Sequence, residues 1–252
     1  MRLIISLNCK NSFSYDIKYY HKLQGFIYNL IRNTDFSYIH DKAGYKFISF
    51  SNIFPPKDAK MGDTRTIIIS SPNNDLISFF EEKLKLLIDS VINIGYMQFQ
   101  VKKISVLKQR INDSEILSTG TPVIVRMPKD KFLEYNTHWD PKYDYIYWRS
   151  KYPIELFIDQ IEDNLKKKYY SFYREEINVR LFEDFEFRKE VCNHVIFNGQ
   201  ETKVFGSLWQ FKFDNLTVEK KKIISFALDC GLGELNSLGF GFLNKVRRRS
   251  FD

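Results

Sequence analysis

Three cysteines in 252 residues, Cys9, Cys192 and Cys230, are too few and too far apart for a disulfide framework or a CxxC-type metal site, and isolated buried thiols are expected. Histidine is nearly as scarce. His21, His40, His138 and His194 include no HExxH pair and no short-range ligand cluster, so no metal site and no cofactor is expected. No apolar run approaches the roughly 20 residues that cross a bilayer. The opening MRLIISLNCKNS has only a short apolar stretch and no small-residue cleavage site, and a cytoplasmic protein without membrane contact is the expectation. Alanine is confined to positions 43, 59 and 227, a bias of genome composition rather than of mechanism.

What is present is cationic and aromatic. Lys plus Arg number 38 against 31 Asp plus Glu, for a formal charge of +7, and aromatic residues make up 16% of the chain. A moderate basic excess favours an anionic partner, and rings beside basic side chains suit unstacked nucleotides, although most rings are expected in a core. With 44% hydrophobic and 27% charged residues, the chain can form one large domain or two small ones and is not a disordered chain.

Residues 2–7 read as an apolar strand and 17–32 as a helix, with Leu23, Phe26, Ile27, Leu30 and Ile31 at helical spacing. Strands follow at 46–53 and 66–70, then a helix over 76–88 announced by SPNND, then a strand over 97–107 after Gly95. This order is βαββαβ. Beyond a polar stretch over 109–120, strands are expected at 122–127 and 143–148, and a helix opened by proline at 153–168. Strands at 177–187, 191–197 and 202–213, a helix at 217–230 and a strand at 240–246 complete a second copy. The fold class is therefore α+β, two tandem ferredoxin-like units over 1–115 and 116–252. Many unrelated activities use that architecture, so it assigns none.

Near the end, DCGLGELNSLGFGFLNKV places Gly231, Gly233, Gly239 and Gly241 around Asn236 and Ser237. Bare backbone can bring N–H groups close to a phosphate as a nest, though a glycine-rich turn is also a common connector. A helix precedes this loop and a strand follows, and no GK[ST] ends it, which excludes the dinucleotide fingerprint and the Walker loop. In the first helix, His21, Gln24, Tyr28 and Arg32 fall beside the apolar stripe. Twelve residues past Tyr28, His40 lies in the loop YIHDKAGYKFISFS, with Lys46 six further on. An imidazole moves protons near neutrality, an ammonium offsets charge growing on phosphorus and a phenol can hydrogen-bond it, a set able to cleave RNA without a metal. Spacing alone leaves a solvated or capping histidine as the alternative.

Taken together, GLGELNSLGFGFLNKV, YYHKLQGFIYNLI and YIHDKAGYKFISFS resemble the CRISPR-associated repeat-processing endoribonucleases, the sixth Cas protein family of the RAMP superfamily. The resemblance runs nearly end to end and implies two ferredoxin-like domains. It implies a catalytic Tyr28, His40 and Lys46, with Tyr38 as a neighbour to Tyr28, and RNA binding at Gly231, Gly233, Asn236, Ser237, Gly239 and Gly241. It further implies cleavage of CRISPR precursor RNA within repeats by 2′-OH attack, leaving a 2′,3′-cyclic phosphate and a 5′-OH. Repeat RNA is the implied partner, interference-complex subunits are further candidates, and the state is monomer or homodimer. The rival from the same superfamily binds guide RNA in an interference complex without cutting; a third reading is a single-strand binder outside CRISPR. Lys245, Arg247, Arg248 and Arg249 form a basic end that offers phosphate contacts or is simply solvated. Lys166, Lys167 and Lys168 close a helix, where cations complement its dipole.

Overall fold

The computed structural model describes residues 1–15, 19–135, 144–197 and 200–246. The chain forms two compact units. One comprises Met1–Gln109, His194–Thr202 and Asn236–Gly239, and the other Arg110–Asn193, Lys203–Leu235 and Phe240–Asp252. A division at 115/116 leaves the two short pieces of the first unit in the second.

The first unit contains β1 (Arg2–Cys9), α1 (Tyr20–Ile31), α2 (Tyr38–Asp41), β2 (Ser49–Phe50), β3 (Thr64–Ser70), α3 (Asn74–Lys85), β4 (Val91–Ile94) and β5 (Met97–Leu107). Its antiparallel sheet has the order β2-β3-β1-β5-β4. Four of these strands reproduce the split βαβ order, with β1 paired to both β3 and β5, and β4 adds an edge. Alternation along β1 puts Leu3, Ile5, Leu7 and Cys9 on one face, where they join Leu23, Ile27 and Ile31 of α1 and Ile77, Phe80 and Leu84 of α3 in one apolar cluster. Each such side chain contributes about 1.5–3 kcal/mol on burial. The Asn73 side chain caps α3 by accepting from Leu76 N–H at 3.2 Å, as SPNND predicts.

Two local expectations change here. The strand over 46–53 shrinks to Ser49–Phe50, because Phe47 adopts φ 54° and breaks the extended run. Val91–Ile94, too short to register as a periodic segment, pairs with β5 across Gly95 at φ 64°.

The second unit contains β6 (Glu115–Thr119), β7 (Val123–Ile124), β8 (Arg126–Pro128), α4 (Lys129–Glu134), β9 (Tyr145–Tyr147), α5 (Ile154–Tyr173), β10 (Asp184–Phe197), β11 (Gln200–Phe213), α6 (Val218–Cys230) and β12 (Leu243–Lys245). The sheet order β10-β11-β6-β12 repeats the split βαβ pattern; β7 pairs with β11, and β8 with β9 apart from the main sheet. Its core is aromatic: Trp209, 1% exposed, stacks on Phe157 at 4.3 Å between centroids and meets Trp148, Phe187 and Phe211. The supposedly polar stretch 109–120 holds β6, the strand that opens this copy. Its Glu115 is buried with partners, accepting from Asn112 and pairing with Lys245. Of the strands expected at 177–187 and 191–197, residues 184–197 form one, β10, and 177–183 are not strand, whereas 122–127 divides into β7 and β8. Among the described residues no helix is long and apolar enough to cross a membrane.

Candidate active site

Helix α1 ends where Arg32 turns extended and Asn33 adopts φ 58°, and Thr34 Oγ1 donates to the Ile31 carbonyl at 2.7 Å. The chain then folds back into the single turn α2. Buried Ile39 anchors that turn while the neighbouring His40 side chain stays 70% exposed. His40, expected in a loop, thus sits on a short helix.

His40 Nδ1 lies 2.6 Å from the Asp41 carboxylate. Against a carboxylate acceptor Nδ1 is the donor, which leaves Nε2 as the second ring nitrogen of a side chain that is mostly exposed. The Tyr28 ring meets the imidazole edge-on, with centroids 5.6 Å apart and planes at 80°. Lys46 Nζ donates to the His40 carbonyl at 2.5 Å and lies 5.4 Å from the centroid of the same Tyr28 ring. Burial lowers the Lys46 ammonium pKa, and the Asp41 charge opposes that shift. The structure therefore brings Tyr28, His40 and Lys46 into one cluster.

Within that cluster the three groups differ in access. The Tyr28 hydroxyl is enclosed. Burial raises its pKa and the Ser237 hydroxyl opposes this, although the two oxygens lie outside ordinary hydrogen-bond geometry. What Tyr28 presents to its neighbours is the ring. Tyr38 is 56% exposed, and its side chain makes no part of this contact set.

The glycine-rich loop differs from the bare cradle read from its sequence. Gly231, Gly233, Gly239 and Gly241 are all buried. The N–H groups of Gly231, Gly239 and Gly241 already donate to the carbonyls of Ala227, Asn236 and Pro122, at 2.8, 2.9 and 2.8 Å, so these three do not form a phosphate nest. Close packing explains the residue type. A Cβ on Gly233, at φ 62°, would stand 2.4 Å from the Ile124 carbonyl oxygen, and one on Gly239, at φ 90°, 2.6 Å from Phe50 Cε2. The partly exposed stretch is Glu234 to Leu238, including Asn236 and Ser237 in a 3₁₀ turn.

Sequence reasoning missed Lys168. Helix α5 runs on to Tyr173, so the three lysines do not close it. Lys166 and Lys167 pair with Glu162 and Asp163 one turn back. Lys168 is 3% exposed and donates to the carbonyls of Gly231 at 3.1 Å and Gly233 at 2.6 Å. Its spacing from Ile161 and Leu165 puts it on the buried stripe, a signal present in the sequence. Burial lowers its pKa to about 8, and the Glu234 charge opposes that shift. Lys245 pairs with Glu115, while Arg247, Arg248 and Arg249 lie outside the described residues.

Residues 100–245 match the family model described as CRISPR associated protein Cas6, C-terminal. The chain is 34% identical to the CRISPR-associated endoribonuclease Cas6 2 of Methanocaldococcus jannaschii over 255 residues, covering 98% of this chain and 100% of that one. It is 30% identical to the CRISPR-associated endoribonuclease Cas6 of Haloferax mediterranei, covering 98% of this chain and 94% of the relative. A solved structure of a CRISPR associated protein Cas6 matches with a TM-score of 0.69 at 25% identity, over 98% of this chain and 99% of that chain. The product of a Cas6-related gene from Pyrococcus furiosus matches at 0.75 and 22% identity, over 99% of each chain, a likeness that carries the fold alone.

Proposed function

The chain belongs to the Cas6 family of CRISPR-associated endoribonucleases, and from that premise we propose that it cleaves CRISPR precursor RNA within the repeats by a metal-independent transesterification. The substrate supplies its own nucleophile. The ribose 2′-oxygen loses its proton and bonds to the adjacent phosphorus while the P–O5′ bond breaks. The products are a 2′,3′-cyclic phosphate and, once the leaving oxygen takes up a proton, a 5′-OH.

In this reading His40 is the group that exchanges protons with the RNA, through Nε2. Asp41 orients the ring by accepting from Nδ1, and Lys46 offsets charge on the phosphorane oxygens. Tyr28 acts through its ring, as the surface against which imidazole and ammonium are held, because its oxygen is enclosed. Base, acid and counter-charge are then all side chains, so no step calls on a divalent ion. One observation carries the proposal: an exposed imidazole with a carboxylate at Nδ1 and an ammonium bound to its own carbonyl, both rings and the cation sharing one contact.

Incubation with the repeat RNA of the protein's own locus in excess chelator tests it. Scission at one fixed position with cyclic phosphate ends is expected; RNA bound and left intact would make the protein a guide-RNA holder instead.

A further inference from the structure

We propose that Tyr45 and Phe47 form a shelf on which a base flanking the scissile phosphate stacks; this deepens, and rests on, the cleavage reading above. The two rings lie 5.9 Å apart between centroids, with planes at 47°, and both residues are half-buried. Neither is among the residues described in the apolar cluster of the first unit. The Lys42 ammonium stands 5.1 Å from the centroid of Phe47. Rings and an ammonium side by side match the two parts of a nucleotide, a flat base and an anionic phosphate.

The backbone supplies a second argument. Phe47 adopts φ 54°, a conformation costly to an aromatic residue and ordinary for glycine or asparagine. It is held there: Ser71 Oγ donates to the Phe47 carbonyl at 2.7 Å, and Ser71 N–H donates to the Met1 carbonyl at 3.1 Å. The turn at 47 separates three destinations. Lys46 reaches the His40 carbonyl, Ile48 enters the core at 0% exposure, and the Phe47 ring remains beside Tyr45. A turn needing only this backbone would be better served by a residue without a ring. Retaining phenylalanine next to Lys46 and His40 points to use of the ring, and the substrate part within reach of a phosphate held at Lys46 is a neighbouring base.

The test uses the locus repeat RNA carrying 2-aminopurine at one position at a time, a base whose fluorescence falls when it stacks. Where a cut has been mapped, 2′-deoxyribose on its 5′ side prevents cleavage during the titration. Quenching is expected at a position next to the cut on binding the full-length protein, and should disappear with Phe47→Asn, which suits the backbone, and with Tyr45→Ala. Affinity should fall about 5- to 150-fold in each, the range of one base–aromatic stack, with unchanged melting temperature for Phe47→Asn. His40→Ala should keep the quenching. RNA that binds without quenching beside the cut, quenching that survives both substitutions, or no binding at all overturns the shelf. Cleavage without quenching removes the shelf and leaves the cleavage reading; binding without any cleavage removes the cleavage reading and with it the shelf that rests on it.

Discussion

Lys168 gives the fold an unusual response to alkali. Burial holds its pKa at about 8 in the folded chain against an ordinary 10.5, so between these values the unfolded chain binds the extra proton and stability rises with pH. Below pH 8 both states are protonated and the folded one keeps a desolvated ammonium under the loop. Above it the neutral amine still has two N–H donors for the two carbonyls it faces, Gly231 and Gly233. Integrating the two titrations gives a gain on the order of 1 kcal/mol between pH 7 and pH 9, or roughly 2–4 °C in melting temperature for a chain of this size. Other groups titrate in the same range; Cys230, raised by burial to about 12, works in the opposite direction above pH 9. The comparison is therefore with Lys168→Met, in which the contributions of the other groups persist apart from the Lys168 charge's own effect on Cys230. Urea unfolding of both proteins at pH 7 and 9 should show wild type gaining on the variant by about this amount. Parallel pH dependence of the two would refute a buried, low-pKa lysine.

Gly233→Ala combines a left-handed backbone with a Cβ 2.4 Å from the Ile124 oxygen and should cost about 2–5 kcal/mol in denaturant unfolding. Gly25→Ala, an exposed position in α1 with nothing within 4 Å of its added Cβ, should instead stabilise by about 0.5–1 kcal/mol; equal effects at the two sites would contradict the packing described for the loop. Because the Tyr28 oxygen is enclosed and its ring makes the contacts, Tyr28→Phe should keep kcat within about tenfold, the equivalent of 1.4 kcal/mol, whereas Tyr28→Ala should lose more. A large loss with Tyr28→Phe in single-turnover kinetics would make the hydroxyl itself a catalytic group.

Where one face of an element is buried, its periodicity was readable: β1, α1, α3, β5, α5 and α6 lie where alternation or helical spacing puts them, within a few residues at their ends. Elements settled by distant partners were not. Glu115 in EILST looks like loop chemistry until Lys245, 130 residues away, is beside it, and Phe47 interrupts an apparently regular strand because Ser71 holds its carbonyl. At the site, residue types and family resemblance brought Tyr28, His40 and Lys46 together on paper. Asp41, next to His40 in the chain, pairs with it locally, whereas the burial of the Tyr28 oxygen and of all four loop glycines depends on tertiary packing that spacing does not encode. Lys168 was legible as a lysine on an apolar stripe, but its carbonyl partners were not, lying more than 60 residues on.

The central claim is that the His40 imidazole carries a proton to or from RNA in a cut whose nucleophile is the substrate's own hydroxyl. Single-turnover cleavage of the locus repeat RNA in chelator, comparing wild type with His40→Ala and all-ribose RNA with RNA bearing one 2′-deoxyribose at the cut, measures this directly. A rate lower by about 10²- to 10⁴-fold is expected for the variant with binding retained, with no cutting of the deoxy-substituted RNA at that position. Cleavage of the deoxy substrate, or an unchanged rate with His40→Ala, would contradict it.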